Sequence, residues 1–214
     1  MTSAASIRLA DYTQWPFELP SIALDVNIHG DHVVVASRLS LEPRRFGEPL
    51  VLCGVDLVIE SLAIDQTPLQ PEDYSFADGR LTIQNVPGRS FVLETCCRLD
   101  PYSNTSLEGL YASGGLLSTQ CEAEGFRRIS LHPDRPDVLS RWQVRIEASR
   151  SNCPVLLSNG NAVQEESVGA DRHAITWDDP FPKPSYLFAL VAGDLREIRD
   201  HYTTASGRQV TLRL

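Results

Sequence analysis

Gln120-Cys121-Glu122 sets an amide oxygen and a carboxylate two residues apart. Side chains alternate with period two on an extended segment, so Gln120 and Glu122 are expected to project together while Cys121 faces the other way with Ala123. A pair of acceptors of that kind suits a cation. A peptide's α-amino group, with a reference pKa of about 7.7 to 8.0, is cationic or partly so near neutral pH. Taken alone, the same spacing far more often marks a polar strand face open to water.

Other reactive residue types lack the spacing that chemistry requires. Helical zinc hydrolases present two imidazoles one turn apart, as His-Glu-x-x-His. The five histidines here are His29, His32, His132, His173 and His201, and none forms that motif. Only His29 and His32 are close, and they flank a Gly30-Asp31 turn rather than sit on a helix, so no metal site is expected in this stretch. There is no Gly-x-Ser-x-Gly elbow, and Ser113-Gly114-Gly115 reads as a turn. Asp178-Asp179 are adjacent carboxylates that point apart in extended chain and run into Pro180-Phe181-Pro182, a structural loop rather than an acid-base pair. Five cysteines, an odd number with Cys96 and Cys97 adjacent, do not make a disulfide framework in a chain of this size and read as reduced, packed thiols.

The elements around these residues read as strands. Ile22, Leu24, Val26 and Ile28 alternate with polar neighbours, turn at His29-Gly30-Asp31, and continue as Val33, Val35, Ser37, Leu39 and Leu41, a β-hairpin. Trp15-Pro16-Phe17 and Leu19-Pro20 before it form an extended leading arm. Val51 to Ile64 predicts at least one further strand, with Gly54 as a bulge or turn. Tyr74-Ser75-Phe76 and Leu81-Thr82-Ile83 flank Ala77-Asp78-Gly79, where Asp-Gly supplies the positive φ of a tight turn. Phe91 to Leu99 reads as a central strand. The triplet's own strands start near Leu107 with Gly114-Gly115 between them, and Pro136 to Ser140 is at most one helical turn. Trp142, Val144, Ile146 and Ala148 mark a half-buried strand. Asn159-Gly160 between two apolar runs predicts a hairpin. His173 to Trp177 is another strand, the prolines at 180, 182 and 184 exclude regular structure, and Tyr186 to Ala192 resumes as a buried strand. The last twenty residues read as strand, turn, strand. Many short strands with almost no helical periodicity argue for an all-β sandwich or an open saddle of sheets.

Composition narrows the classes of function. The 214 residues, 42% hydrophobic and 22% charged, suffice for a sizeable core and exclude disorder. A formal net charge of -9 argues against nucleic acid, whose affinity comes from Lys and Arg on phosphates. No apolar run of about 18 residues exists to span a bilayer, and Met1 to Ser6 lacks the basic and apolar regions of a secretory signal, so a cytoplasmic protein is expected.

The triplet does not stand alone. Asn104 to Tyr111, Ser118 to Arg127, Asp134-Arg135-Pro136-Asp137, Leu157 to Asn161 and Asp178 to Asp194 together resemble the N-terminal domain of bacterial aminopeptidase N, a family of zinc aminopeptidases. The resemblance implies a saddle-shaped β-sandwich of mostly antiparallel strands with little helix. It also implies that Gln120 and Glu122 bind the free amine at the N-terminus of a peptide substrate. Zinc, the His-Glu-x-x-His helix and the family's Gly-x-Met-Glu-Asn motif belong to a catalytic domain absent from these residues, so this piece alone is expected to be inactive and to hold no cofactor. On this reading residues 1–194 are the β-rich domain and residues 195–214 begin the strands that lead into the catalytic domain, its partner in the full-length enzyme. A different class of function, a stand-alone β-sandwich module that binds peptides or proteins without catalysis, fits the same composition. The two are separated by whether the gene continues past Leu214 into His-Glu-x-x-His.

Overall fold

In the computed structural model, which describes residues 8–214, the alternating run from Ile22 becomes one arm of a long hairpin, β1 (Phe17–Ile28) with β2 (Val33–Pro43). Ile22, Leu24, Val26 and Ile28 are buried, as are Val33, Val35, Leu39 and Leu41 on the facing arm. The one polar residue in that row, Ser37, lies opposite Thr95, and the two buried hydroxyls share a 2.7 Å hydrogen bond. That bond offsets the desolvation each would otherwise suffer. The expectation for Met1 to Ser6 lies outside the described residues.

Further strands follow as β3 (Leu50–Cys53), β4 (Val58–Ile64), β5 (Thr67–Pro68), β6 (Tyr74–Ala77), β7 (Arg80–Ile83) and β8 (Phe91–Leu99). The second half adds β9 (Gly109–Ser113), β10 (Leu116–Gln120), β11 (Ser140–Ser149), β12 (Val155–Ser158), β13 (Asn161–Val168), β14 (Arg172–Lys183), β15 (Leu190–Gly193), β16 (Arg199–Thr203) and β17 (Gln209–Arg213). Helix among the described residues is confined to three single 3-10 turns, at Leu9–Asp11, Phe126–Arg128 and Ser185–Leu187. The fold is all-β and almost wholly antiparallel.

An eight-stranded sheet runs β13-β14-β11-β1-β2-β8-β4-β5, and within it only β1 and β11 pair parallel. A four-stranded sheet, β12-β15-β10-β9, and a three-stranded one, β3-β7-β6, complete a shared core. Leu110, Leu117, Leu156 and Leu190 enter it from the four-stranded sheet and Leu50, Leu52, Leu81 and Ile83 from the three-stranded one. Each such side chain contributes about 1.5–3 kcal/mol of transfer free energy. Trp15 and Phe17 of the leading arm dock on this core, with ring centroids 5.3 Å apart, and Phe17 meets Phe91 edge-on. The β16–β17 hairpin forms its own two-stranded sheet and adds no residue to the core.

Three local expectations are corrected. Asn159-Gly160 does not close a hairpin: β12 pairs with β15, whereas β13 pairs with β14 in the other sheet. Asn159 instead spends its amide on distant backbone, donating to the Leu187 carbonyl at 3.1 Å and accepting from Ala189 N–H at 2.7 Å. Gly160, at φ +86°, crosses so close to β14 that a β-carbon would sit 2.2 Å from the Asp178 carbonyl oxygen. The prolines do not abolish regular structure either, since β14 runs through Pro180 and Pro182. Both lie beyond the last β13 partner, Asp178, and within a register shift against β11, so neither must donate a ladder N–H. Finally, the segment from Tyr186 opens as a 3-10 turn, and the strand is limited to Leu190–Gly193.

Candidate functional site

Gln120 is the last residue of β10, and the extended chain stops there. The β9–β10 hairpin turns at Gly114 and Gly115, both with positive φ, and pairs Gln120 with Gly109. On its other edge β10 pairs with β15 only through Leu117 and Ser118. At the next position the Thr119 hydroxyl takes over, accepting from Leu190 N–H at 2.8 Å and donating to the Leu190 carbonyl at 3.3 Å. Cys121 is buried, while Glu122, Ala123 and Glu124 form an exposed turn with a cis peptide between Glu122 and Ala123. Gly125 N–H closes that turn on the Cys121 carbonyl at 2.8 Å.

The geometry therefore differs from the expected period-two strand. Gln120 and Glu122 are both exposed, but Glu122 lies in the turn, and the Gln120 side-chain amide donates to the Glu122 backbone carbonyl at 3.3 Å. Gln120 thus braces the residue it was expected to accompany. Glu124 leaves the row altogether and pairs with Arg127 at 3.0 Å.

Two glycines make so tight a turn possible. A β-carbon on Gly125 would lie 2.4 Å from the Gln120 carbonyl oxygen, and one on Gly109 would lie 2.6 Å from the Arg128 β-carbon. Below the turn, Phe126 anchors it in the core by edge-on contacts with His132, Trp142 and Phe188 at centroid distances of 5.0–5.2 Å. Burial pushes the Cys121 thiol up to about 12, with the nearby Asp134 charge adding to the effect, so this cysteine is a packed apolar residue and no nucleophile.

The arginines of the following 3-10 turn are both held by carboxylates. Arg128 bonds Asp56 and, at 3.3 Å, Glu108. Arg127 gives its Nε to Asp134 Oδ2 at 2.8 Å and its backbone N–H to the same oxygen at 3.2 Å. Burial alone would lower the Arg127 pKa, and the bond to Asp134 with the charge of Glu124 raises it above its ordinary value. Asp134 is buried at φ +49°, its other oxygen accepts from Ser185 Oγ at 2.8 Å, and its N–H donates to His132 Nδ1 at 2.8 Å. Sequence reasoning missed this hub, although Asp before Arg-Pro is a residue type that tolerates the left-handed region. It also missed Asn104, whose amide donates to the Glu108 and Leu110 carbonyls and orders the approach to β9. Among the described residues, Glu122 has no cation within ion-pair distance.

The remaining candidates hold structural positions. Asp179 pairs with Lys183 and accepts from Phe181 N–H. The five cysteines are unpaired, with Cys97 buried and its neighbour Cys96 half-buried on the opposite face. His29 and His32 stack on the hairpin turn, His173 is buried against the Cys153 carbonyl at 2.8 Å, and His132 is committed to Asp134. The donor sets do not fit zinc: among the described residues no group of three or more His, Cys, Asp or Glu converges. Among the described residues no helix is long and apolar enough to cross a membrane.

Comparison with known proteins bears on this loop directly. Residues 88–187 match the family model of the peptidase M1 N-terminal domain. Aminopeptidase N of Caulobacter vibrioides is 51% identical over 212 residues, 98% of this chain and 24% of that protein. Aminopeptidase N of Escherichia coli is 44% identical over 205 residues, 95% of this chain and 23% of that protein. The crystal structure of Legionella pneumophila aminopeptidase A in complex with aspartic acid superposes with a TM-score of 0.91 at 33% identity, over 97% of this chain and 25% of that one. An M1 zinc metallopeptidase from Deinococcus radiodurans shares the fold, with a TM-score of 0.77 at 16% identity over 92% of this chain and 47% of that one. The chain spans about a quarter of the length of the curated relatives it matches.

Proposed function

The chain carries a peptidase M1 N-terminal domain of the bacterial aminopeptidase N kind, and from that premise we propose that it is the substrate-anchoring domain of a zinc aminopeptidase. Glu122 binds the α-amine of a peptide substrate and Gln120 assists, so that the peptide is measured from its N-terminus. The observation that carries this reading is an exposed carboxylate without a counter-ion among the described residues, set on a tight turn inside the matched region. Exposed loops on a rigid sheet scaffold are where binding groups concentrate.

The zinc and the hydrolytic step belong to a catalytic region of a longer enzyme, of the kind of which this chain matches about a quarter. The β16–β17 hairpin of residues 195–214, outside the shared core, leads toward that region, and residues 1–194 form the anchoring domain. Five unpaired cysteines suit a reducing compartment, the cytoplasm. Positioning is this domain's contribution to rate: a contact that holds the amine in register also fixes the scissile bond relative to the reacting groups.

Glu122→Gln in the full-length enzyme tests the proposal. It keeps the shape and removes the charge, which for a hydrogen bond to a charged group costs about 1.5–3 kcal/mol. kcat/KM for a free-amine substrate should fall roughly ten- to a hundredfold with zinc content unchanged. A value within twofold of wild type would remove Glu122 from the role.

A further inference from the structure

Glu122 has competition for its charge built into its own loop. Arg127 and Arg128 follow within six residues, and the turn folds back so tightly that Gly125 N–H reaches the Cys121 carbonyl at 2.8 Å. A guanidinium free to move there would pair with the exposed Glu122 carboxylate and occupy the acceptor that a substrate amine requires.

Neither arginine is free. Arg128 is shared by Asp56 and Glu108, and Arg127 by Asp134 and Glu124. The two clamps differ in strength. Asp56, Glu108 and Glu124 are largely exposed, with side chains 57–78% accessible, whereas the Asp134 side chain is 0% accessible. A carboxylate removed from water must keep its cation, because an unpaired buried charge is far costlier than a lost surface contact. Asp134 is further fixed from two sides, by Ser185 Oγ on its second oxygen and through its own N–H by His132. An exposed Arg127–Glu122 pair cannot compete with that. Four carboxylates facing two guanidiniums also leave the surroundings net negative before Glu122 is counted, which favours an incoming cation.

We propose that Asp134 is a positioning residue that sequesters Arg127, keeping Glu122 free of a counter-ion inside the chain and open to the substrate amine. This rests on Glu122 being the amine anchor. Because the effect is competition for Glu122, it alters affinity and not the chemical step: saturating substrate displaces the arginine, so kcat is preserved.

The test is steady-state kinetics of the full-length, zinc-loaded enzyme on an unblocked aminoacyl substrate. Asp134→Asn releases Arg127 and should raise KM roughly three- to sixfold, the factor by which an exposed ion pair lowers the competent fraction, with kcat within about twofold of wild type. Adding Arg127→Gln removes the competitor and should return KM to within about twofold of wild type. A purely structural role predicts the reverse, since the second substitution would add damage. An unchanged KM in folded Asp134→Asn, or a raised KM that Arg127→Gln does not lower, overturns the proposal. If Asp134→Asn does not yield folded enzyme, the exposed Glu124→Gln carries the test: Asp134 still holds Arg127, so KM should stay within about twofold of wild type, and a KM raised threefold or more that Arg127→Gln restores would show that Asp134 is not what holds the arginine. Glu122→Gln in the same assay separates the two readings. If it leaves kcat/KM unaffected, the anchoring role fails and this one with it; if it lowers kcat/KM while the double variant shows no rescue, only sequestration fails.

Discussion

His132 gives this domain a pH dependence whose sign and size follow from its surroundings. The ring is fully buried, lies over Trp142 at a centroid distance of 5.8 Å, meets Phe126 edge-on, and uses Nδ1 to accept from Asp134 N–H. Burial disfavours the imidazolium and pushes its pKa down to about 4, against a smaller upward pull from Asp134. In the unfolded chain the group titrates near about 6.5. The folded pKa lies below the unfolded one, so between these values the unfolded state binds more protons, and stability falls as pH drops through the window. Above about pH 6.5 both states are neutral and the effect vanishes. Near pH 5 the loss is about 2 kcal/mol, approaching about 3 kcal/mol below pH 4. Urea denaturation, followed by tryptophan fluorescence near pH 7.5 and near pH 5, measures it. His132→Gln keeps an acceptor but cannot titrate, so its loss between the two conditions should be smaller than that of wild type by about 2 kcal/mol. Losses equal to within about 0.5 kcal/mol would show that His132 is not held neutral by burial and would refute the argument.

Gly160→Ala should destabilise the domain by roughly 2–4 kcal/mol, because a β-carbon meets the Asp178 carbonyl at 2.2 Å and the backbone sits at φ +86°; the urea midpoint reads this. Phe126→Ala, which empties the centre of the aromatic cluster beneath the anchor turn, should cost about 3–5 kcal/mol, measurable in the same way.

Where sequence and structure agree, the determinants are local. The β1–β2 and β6–β7 hairpins were legible because alternation and turn chemistry lie within a few residues, and Asp78 and Gly79 adopt the positive φ that Asp-Gly promised. The Asn159-Gly160 expectation failed for the converse reason. The same dipeptide that makes a tight turn also makes a sheet-to-sheet crossing when the Asn amide finds Leu187 and Ala189, some thirty residues on. Pro180 and Pro182 were misread because a proline's effect depends on whether a partner strand asks for its N–H, which is a property of register.

The site divides in the same way. The types and exposure of Gln120 and Glu122 were legible, but the end of the strand between them was not, because it is set by Thr119 meeting Leu190 and by Gly125 meeting the Gln120 backbone. The burial of Asp134 was not legible for a similar reason. Its burial depends on Ser185, 51 residues away, and a lone Asp beside Arg-Pro looks like an ordinary surface turn.

The most direct measurement is the position of a substrate amine. In a crystal structure of the full-length enzyme with a bound peptide or amino acid, the account predicts the α-amino nitrogen about 2.7–3.2 Å from a Glu122 carboxylate oxygen, with Gln120 adjacent and Arg127 still on Asp134. A well-ordered amine bound to other residues, with Glu122 more than about 4 Å away, would contradict it.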